Sequence, residues 1–211
     1  KKLIKTIQNY DPDIILLHNI HGYYLNYEHL FKYLAKINKP VLWTLHDCWA
    51  FTGHCAYFDY VGCPKWKTGC YSCPQKKAYP KSILLDNSKS NYKRKERAFT
   101  SLKNLTLITP SKWLAGLVSQ SYLGGYEVKV IPNGIDLNIF KPTKSDIRAK
   151  YKLKSKFVVL GVASVWDERK GLKDFVKLST LLEADYKIVL VGLTEQLIKE
   201  MPPSIIALER T

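Results

Sequence analysis

The chain has 211 residues, 46% of them hydrophobic and 24% charged, which suits one large or two modest soluble domains. No apolar run approaches the ~18 residues of a membrane-spanning helix, and no secretory pattern of basic segment, long apolar core and small-residue cleavage site opens the chain. A net charge of +15 points to acidic partners such as nucleic acid, an anionic membrane surface or phosphorylated small molecules, although scattered lysines from a lysine-rich proteome give the same balance. The first residue is Lys1, and the chain reads as a piece of a longer protein.

In chain order, apolar runs of strand length alternate with helical periodicity. Residues 13–17 read as a strand, and Leu30, Phe31, Leu34 and Ile37 then share one face of a helix. Residues 40–45 form the next strand. After a long irregular segment a polar helix spans about 88–102, and its basic run from Asn91 to Arg97 reads as a solvated face. A strand follows at 105–109, then a helix with Leu114, Leu117 and Val118 inward, then a strand at 128–131. Residues 138–156 are polar and lysine-rich, a linker with a short helix. The pattern restarts with a strand at 157–162, a helix carrying Leu172, Phe175, Val176, Ser179 and Leu182 on one side, a strand at 187–191, a short helix near 194–200 and a last strand near Ile205. Regular alternation of this kind predicts an α/β fold with parallel sheets covered on both faces.

The strand ends carry the chemistry. Pro132 lacks the N–H to continue a ladder, and Asn133-Gly134 predicts a tight turn with positive φ that brings bare backbone close to a ligand. The strand at 157–162 runs into a loop with Arg169 and Lys170, and Gly171 opens a helix whose free N–H groups favour an anion, so a diphosphate is the expected guest. His18 and His21 follow the first strand, His46 and Asp47 the second, and Ser111 the third as an N-cap. Such edges of open parallel sheets are where ligands sit. A His-Asp pair in that position also serves as an ordinary structural contact.

Five cysteines lie within one segment. Cys55, Cys63, Cys70 and Cys73 predict a structural zinc that orders an otherwise irregular loop, with free thiols and disulfides as the alternatives, while Cys48 reads as a small buried residue. The same segment is rich in aromatics. Core packing is the expected use for most of them, with Trp66, flanked by lysines, as the exception that would stack on a sugar.

Taken in order, His18-Asn19-Ile20-His21-Gly22, Thr44-Leu45-His46-Asp47, Thr109-Pro110-Ser111-Lys112-Trp113-Leu114, Ile131-Pro132-Asn133-Gly134-Ile135-Asp136 with Phe140 and Pro142, and Arg169-Lys170-Gly171 resemble the motifs of the family 4 glycosyltransferases. The resemblance implies a GT-B fold of two Rossmann-like domains, here an acceptor-side domain at 1–142 with a cysteine-rich insertion at about 48–80, a linker at 143–156, and the first part of a donor domain at 157–211. It implies a retaining transfer from a nucleotide-sugar donor to a saccharide or lipid-linked acceptor in cell-surface polysaccharide assembly, with no cofactor for catalysis. His46 would act at the transferred sugar, Asn133, Gly134, Arg169 and Lys170 at the donor, and His21, Asp47 and Ser111 on the acceptor side. An arginine common earlier in the donor loop is replaced here by the neighbourhood of Val165 and Trp166, and Arg169 stands in for it. By the resemblance the family's glycine-rich loop would precede Lys1 and its glutamate pair would follow Thr211, and the chain alone is expected to be inactive. The implied setting is cytoplasmic, with peripheral contact at the inner face of the plasma membrane. Two other readings stay open: a GT-B nucleotide-sugar epimerase, and a zinc-stabilised basic module for nucleic acid, which lacks the expected basic stripe.

Overall fold

The structure is a computed structural model that describes residues 2–21, 24–82 and 84–210. It falls into two compact units, Lys1–Ile135 and Asp136–Thr211. In the first, helix α1 (Lys2–Tyr10) precedes strand β1 (Ile15–Leu17), α2 (Tyr27–Ile37), β2 (Val41–Thr44), α3 (Ser88–Phe99), β3 (Leu105–Thr109), α4 (Lys112–Ser119) and β4 (Glu127–Val130). The four strands are parallel in the order β1-β2-β3-β4. In the second unit a short helix α5 (Ile147–Lys150) leads to β5 (Phe157–Val162), α6 (Leu172–Ser179), β6 (Tyr186–Leu193), α7 (Glu195–Glu200) and β7 (Ile205–Glu209), with β5-β6-β7 again parallel.

The α/β alternation is as the sequence predicts; α1 is the helix not anticipated. None of its residues is fully buried, although its apolar Leu3, Ile4 and Ile7 recur at helical spacing on one side. The helix α2 shows local logic clearly. Asn26 accepts the His29 N–H as N-cap, Leu30, Phe31 and Leu34 bury one stripe, and Asn38 in the left-handed region ends the helix by donating its N–H to the Leu34 carbonyl. That stripe meets Trp43 and Phe99, with ring centroids 4.7 Å apart for Phe31 and Phe99 and 4.8 Å for Trp43 and Phe99. Leu107, Val118 and Leu123 complete this core.

Coverage of the sheets is less even than predicted. In β2 and β3 the buried residues alternate with half-buried ones, the mark of one tightly packed face. In β5, Leu160 and Val162 are 60% and 68% exposed, whereas the central strand β6 is buried nearly throughout. The segment read as a linker packs onto the second unit: Leu153 is buried, Arg148 donates to the carbonyls of Leu153 and Lys156, and Lys156 Nζ reaches the Ala184 carbonyl at 2.7 Å.

The bulge between β6 and β7 needs its glycine. Gly192 has φ +93°, and a Cβ there would lie 1.8 Å from the Ala163 carbonyl oxygen, which is backbone and cannot swing aside. Gly192→Ala is therefore expected to destabilise the second unit by about 2 kcal/mol or more. Hydrogen exchange of the β6 amides checks this, and protection unchanged from wild type would refute it.

Candidate functional site

The parallel register of β1 and β2 brings their carboxyl ends side by side, and the residues just beyond form one polar cluster. His18 Nδ1 and His46 Nε2 are 3.1 Å apart, with the rings stacked at 5.4 Å. Both histidines are exposed. His21 Nε2 stands 3.0 Å from Asp47 Oδ2, each side chain about 10% exposed, without the alignment of a hydrogen bond. His21 Nδ1 meets the Tyr79 hydroxyl at 3.1 Å, and Asp47 Oδ1 accepts the Trp49 N–H at 2.8 Å. His21 thereby stands between the Asp47 carboxylate and the Tyr79 hydroxyl, one ring nitrogen toward each. Gly22, which completes the first motif, lies outside the described residues. The structure brings His21, His46 and Asp47 together and adds Tyr79 and Trp49 to them.

Ser111 stands at the end of the neighbouring β3, and its hydroxyl is engaged. It accepts the Leu114 N–H at 3.2 Å as the N-cap of α4, the capping role its position predicts.

The segment after β4 differs from its prediction. Neither Asn133 nor Gly134 has positive φ, both are exposed, and a Cβ on Gly134 would meet nothing within 4 Å. The turn comes later: Asp136 Oδ1 accepts the Asn138 N–H at 2.8 Å, and its carbonyl accepts from Ile139 and Phe140. The aspartate supplies the turn.

In the second unit, Arg169 and Lys170 lie in a 3-10 turn between β5 and α6. Asp167 caps that turn by accepting the Lys170 N–H at 2.9 Å and lies 3.8 Å from the Arg169 guanidinium. Gly171 has φ +72°, as its place before α6 requires. The two cations therefore share their loop with a carboxylate that an incoming anion must outcompete.

The cysteine-rich segment is built from three short 3-10 turns and a dense apolar centre. Trp66 is 3% exposed, stacked on Phe58 at 4.9 Å and edge-on to Phe51, so it belongs to the core and is not the exposed platform predicted from its lysine neighbours. Their stems project outward while the indole points in. Cys48 is buried as predicted, and burial beside Asp47 pushes its thiol up to about 12. The hydrogen bond to Cys73, with burial, pushes the Cys55 thiol up, and the same bond holds Cys73 below the ordinary thiol range. Cys70 Sγ accepts the Gly53 N–H at 3.1 Å. Among the described residues, however, no group of three or more His, Cys, Asp or Glu side chains is arranged to hold a metal ion. The geometry offers the expected tetrahedral thiolate centre on Cys55, Cys63, Cys70 and Cys73 no ready-made cage.

Sequence reasoning missed Lys95. Within a helix read as solvated, Ser88, Tyr92, Lys95 and Phe99 form a buried stripe, and Lys95 is only 2% exposed. Its Nζ donates to the carbonyls of Trp49 at 2.8 Å and Thr52 at 3.1 Å and lies 3.5 Å from the centroid of the Trp49 ring. Lys95 thereby fixes the turn whose Trp49 N–H holds Asp47. The spacing of Tyr92 and Phe99, seven residues apart, was the available signal, obscured by the charges between them.

Comparison with known proteins agrees with this architecture. Residues 1–139 match Glycosyltransferase Family 4. A protein of Escherichia coli (strain K12) assigned to colanic acid biosynthesis as glycosyl transferase WcaC is 34% identical over 144 residues, which cover 64% of this chain and 35% of that protein. Among solved structures, Anabaena Alr3699/HepE in complex with UDP superposes with a TM-score of 0.53 at 18% identity, over 94% of this chain and 45% of that one. Sucrose-phosphate synthase from Thermosynechococcus elongatus gives 0.58 at 15% identity, over 100% and 49%. The chain thus spans about a third of its curated relative and under half of each of these structures. Two parallel α/β units of the GT-B kind, with the family's motifs at their strand ends, show that the chain belongs to glycosyltransferase family 4.

Proposed function

We propose that this chain is the acceptor-side part, with the beginning of the donor-side part, of a glycosyltransferase that moves a sugar from a nucleotide-sugar donor to a saccharide or lipid-linked acceptor in polysaccharide assembly. The observation that carries the reading is the His18, His21, His46 and Asp47 cluster at the carboxyl edge of a parallel sheet in a family 4 chain. Support for polysaccharide assembly comes from the colanic acid assignment of the E. coli relative, and support for a nucleotide donor from the UDP bound to the Anabaena protein.

Glycosyl transfer develops positive charge on the sugar and negative charge on the leaving phosphate, so fixed cations near the phosphate oxygens lower the barrier. Arg169 and Lys170 are suited to that task, Arg by its two-point grip and Lys as a point charge. In a retaining reaction donor and acceptor share one sugar face, and the departing phosphate takes the acceptor proton. His46 then orients hydroxyls and need not act as a base. Peripheral association with anionic lipid fits the net charge of +15, and among the described residues no helix is long and apolar enough to cross a membrane.

The test is nucleotide release by the full-length gene product with a panel of UDP-, GDP- and ADP-sugars. Acceptor-dependent release from one donor class is the expected result. No release from any donor with any saccharide acceptor would overturn the reading.

A further inference from the structure

The ring of His21 is enclosed by residues that come from elsewhere in the chain. Trp49 tilts against it at 5.2 Å, Asp47 faces Nε2, and Tyr79 meets it edge-on at 5.7 Å with the hydroxyl 3.1 Å from Nδ1. Among the described residues, the contact with Tyr79 is the aligned hydrogen bond of the ring, because Nε2 and the Asp47 carboxylate are close without alignment. A phenol suits this task, since its hydroxyl donates or accepts by rotation and so partners either protonation state of an imidazole. The backbone places Tyr79 with equal care. The Ala56 N–H donates to the Tyr79 carbonyl at 3.3 Å, and the Ala56 carbonyl accepts the Cys48 N–H at 3.0 Å. Ala56 is completely buried, and Cys48 directly follows Asp47. The two groups that flank the His21 ring are therefore carried on one hydrogen-bonded frame, one at the end of β2 and the other from the cysteine-rich segment. Tyr79 is nonetheless 51% exposed, whereas a tyrosine that served only to pack this segment would be covered as Trp66 and Phe58 are.

We infer that Tyr79 is a positioning residue of the transfer site: from the cysteine-rich segment it holds the His21 ring in the rotation at which His21 meets the acceptor. The inference rests on the transferase reading and deepens it by giving that segment a part in the reaction. Without the hydroxyl, Nδ1 loses its bond, and the outer torsion of a histidine side chain has only broad intrinsic wells to hold the ring. A misplacement of roughly 1 Å near a reacting centre costs about 10²-fold, and the remaining packing on Trp49 limits the displacement, so about a tenfold loss is expected.

The full-length gene product is assayed as wild type, Tyr79→Phe, His21→Ala and the double variant, with UDP-, GDP- and ADP-sugars as donors and octyl glucoside, octyl galactoside and octyl N-acetylglucosaminide as acceptors. Tyr79→Phe keeps the ring and is expected to lower kcat/KM for the acceptor about tenfold while donor-nucleotide affinity changes by less than about twofold. In the His21→Ala background the same substitution is expected to cost less than about twofold, because its effect runs through His21. Its signature outside catalysis is a displaced Nδ1 signal of the His21 imidazole in protein labelled with ¹⁵N-histidine. Equal losses in the two backgrounds would make Tyr79 a structural residue and overturn the inference. A Tyr79→Phe enzyme as active as wild type, an unmoved Nδ1 signal, or a matching loss of donor affinity would overturn it as well, and each would leave the transferase reading intact. Release of no nucleotide by wild type with any donor and acceptor would instead overturn the transferase reading, and this inference with it.

Discussion

Lys95→Ala is expected to lower the unfolding free energy of the first unit by about 2–4 kcal/mol, because two buried carbonyls, those of Trp49 and Thr52, lose their shared donor and a cavity replaces the aliphatic stem. Lys95→Met, which keeps the volume, isolates the polar part at about 1–3 kcal/mol. The amine also leaves a signature in pH. Burial pushes the Lys95 pKa well below its ordinary 10.5, so between the folded value and 10.5 the unfolded chain binds more protons than the folded one. Stability from this group therefore rises with pH across that window and is lost as pH falls through the folded pKa. Cys55 and Cys70, whose thiols are raised, contribute with the opposite sign above the ordinary thiol value of 9.0, so the comparison is between wild type and Lys95→Met at each pH. Urea denaturation read by hydrogen exchange of the β2 and β3 amides measures it. A methionine variant within about 0.5 kcal/mol of wild type, with Trp49 N–H equally protected, would mean that water satisfies those carbonyls.

The contrast between Lys95 and Leu107 explains how much was legible. Strands such as β3 announce themselves because every second residue is apolar and the flanks are turn formers, so the parallel direction of the sheets followed from strand and helix alternation. The strand-end polar residues were equally legible, since His21, His46 and Asp47 interrupt apolar runs at the sheet edge where ligands bind. What failed depended on contacts distant in sequence. Trp66 is covered by Phe51 and Phe58 of an irregular segment, and Lys95 is satisfied by carbonyls 46 and 43 residues away, so the partners that justify burying a charged or lysine-flanked residue are not local in sequence. Asn133-Gly134 failed for the opposite reason. The pair permits a left-handed turn without requiring one, and Asp136 three residues after Asn133 offered a better hydrogen-bonded turn. Tyr79 could not be read at all, because its meeting with His21 spans 58 residues of irregular chain.

His46→Ala in the full-length enzyme is expected to reduce sugar transfer by about 10²-fold while changing nucleotide affinity less than twofold. The argument is positional. His46 stands exposed at the end of β2, stacked on His18 and beside the His21 and Asp47 pair, so it can touch a ligand while its orientation is set by neighbours. A misplacement of roughly 1 Å at a reacting centre costs about that factor, and an exposed side chain contributes little to folding, so stability should stay within about 0.5 kcal/mol of wild type. Asp47→Asn provides the internal comparison. It keeps the shape and the acceptor for the Trp49 N–H but removes the charge facing His21, and a smaller loss, about tenfold, is expected because Asp47 acts through His21. Transfer rates and nucleotide binding measured on the same preparations separate the outcomes. Equal losses in transfer and nucleotide affinity would move His46 to the donor, and an unchanged transfer rate would remove it from the reacting centre and leave the His18 and His46 stack as a structural contact between two strand ends.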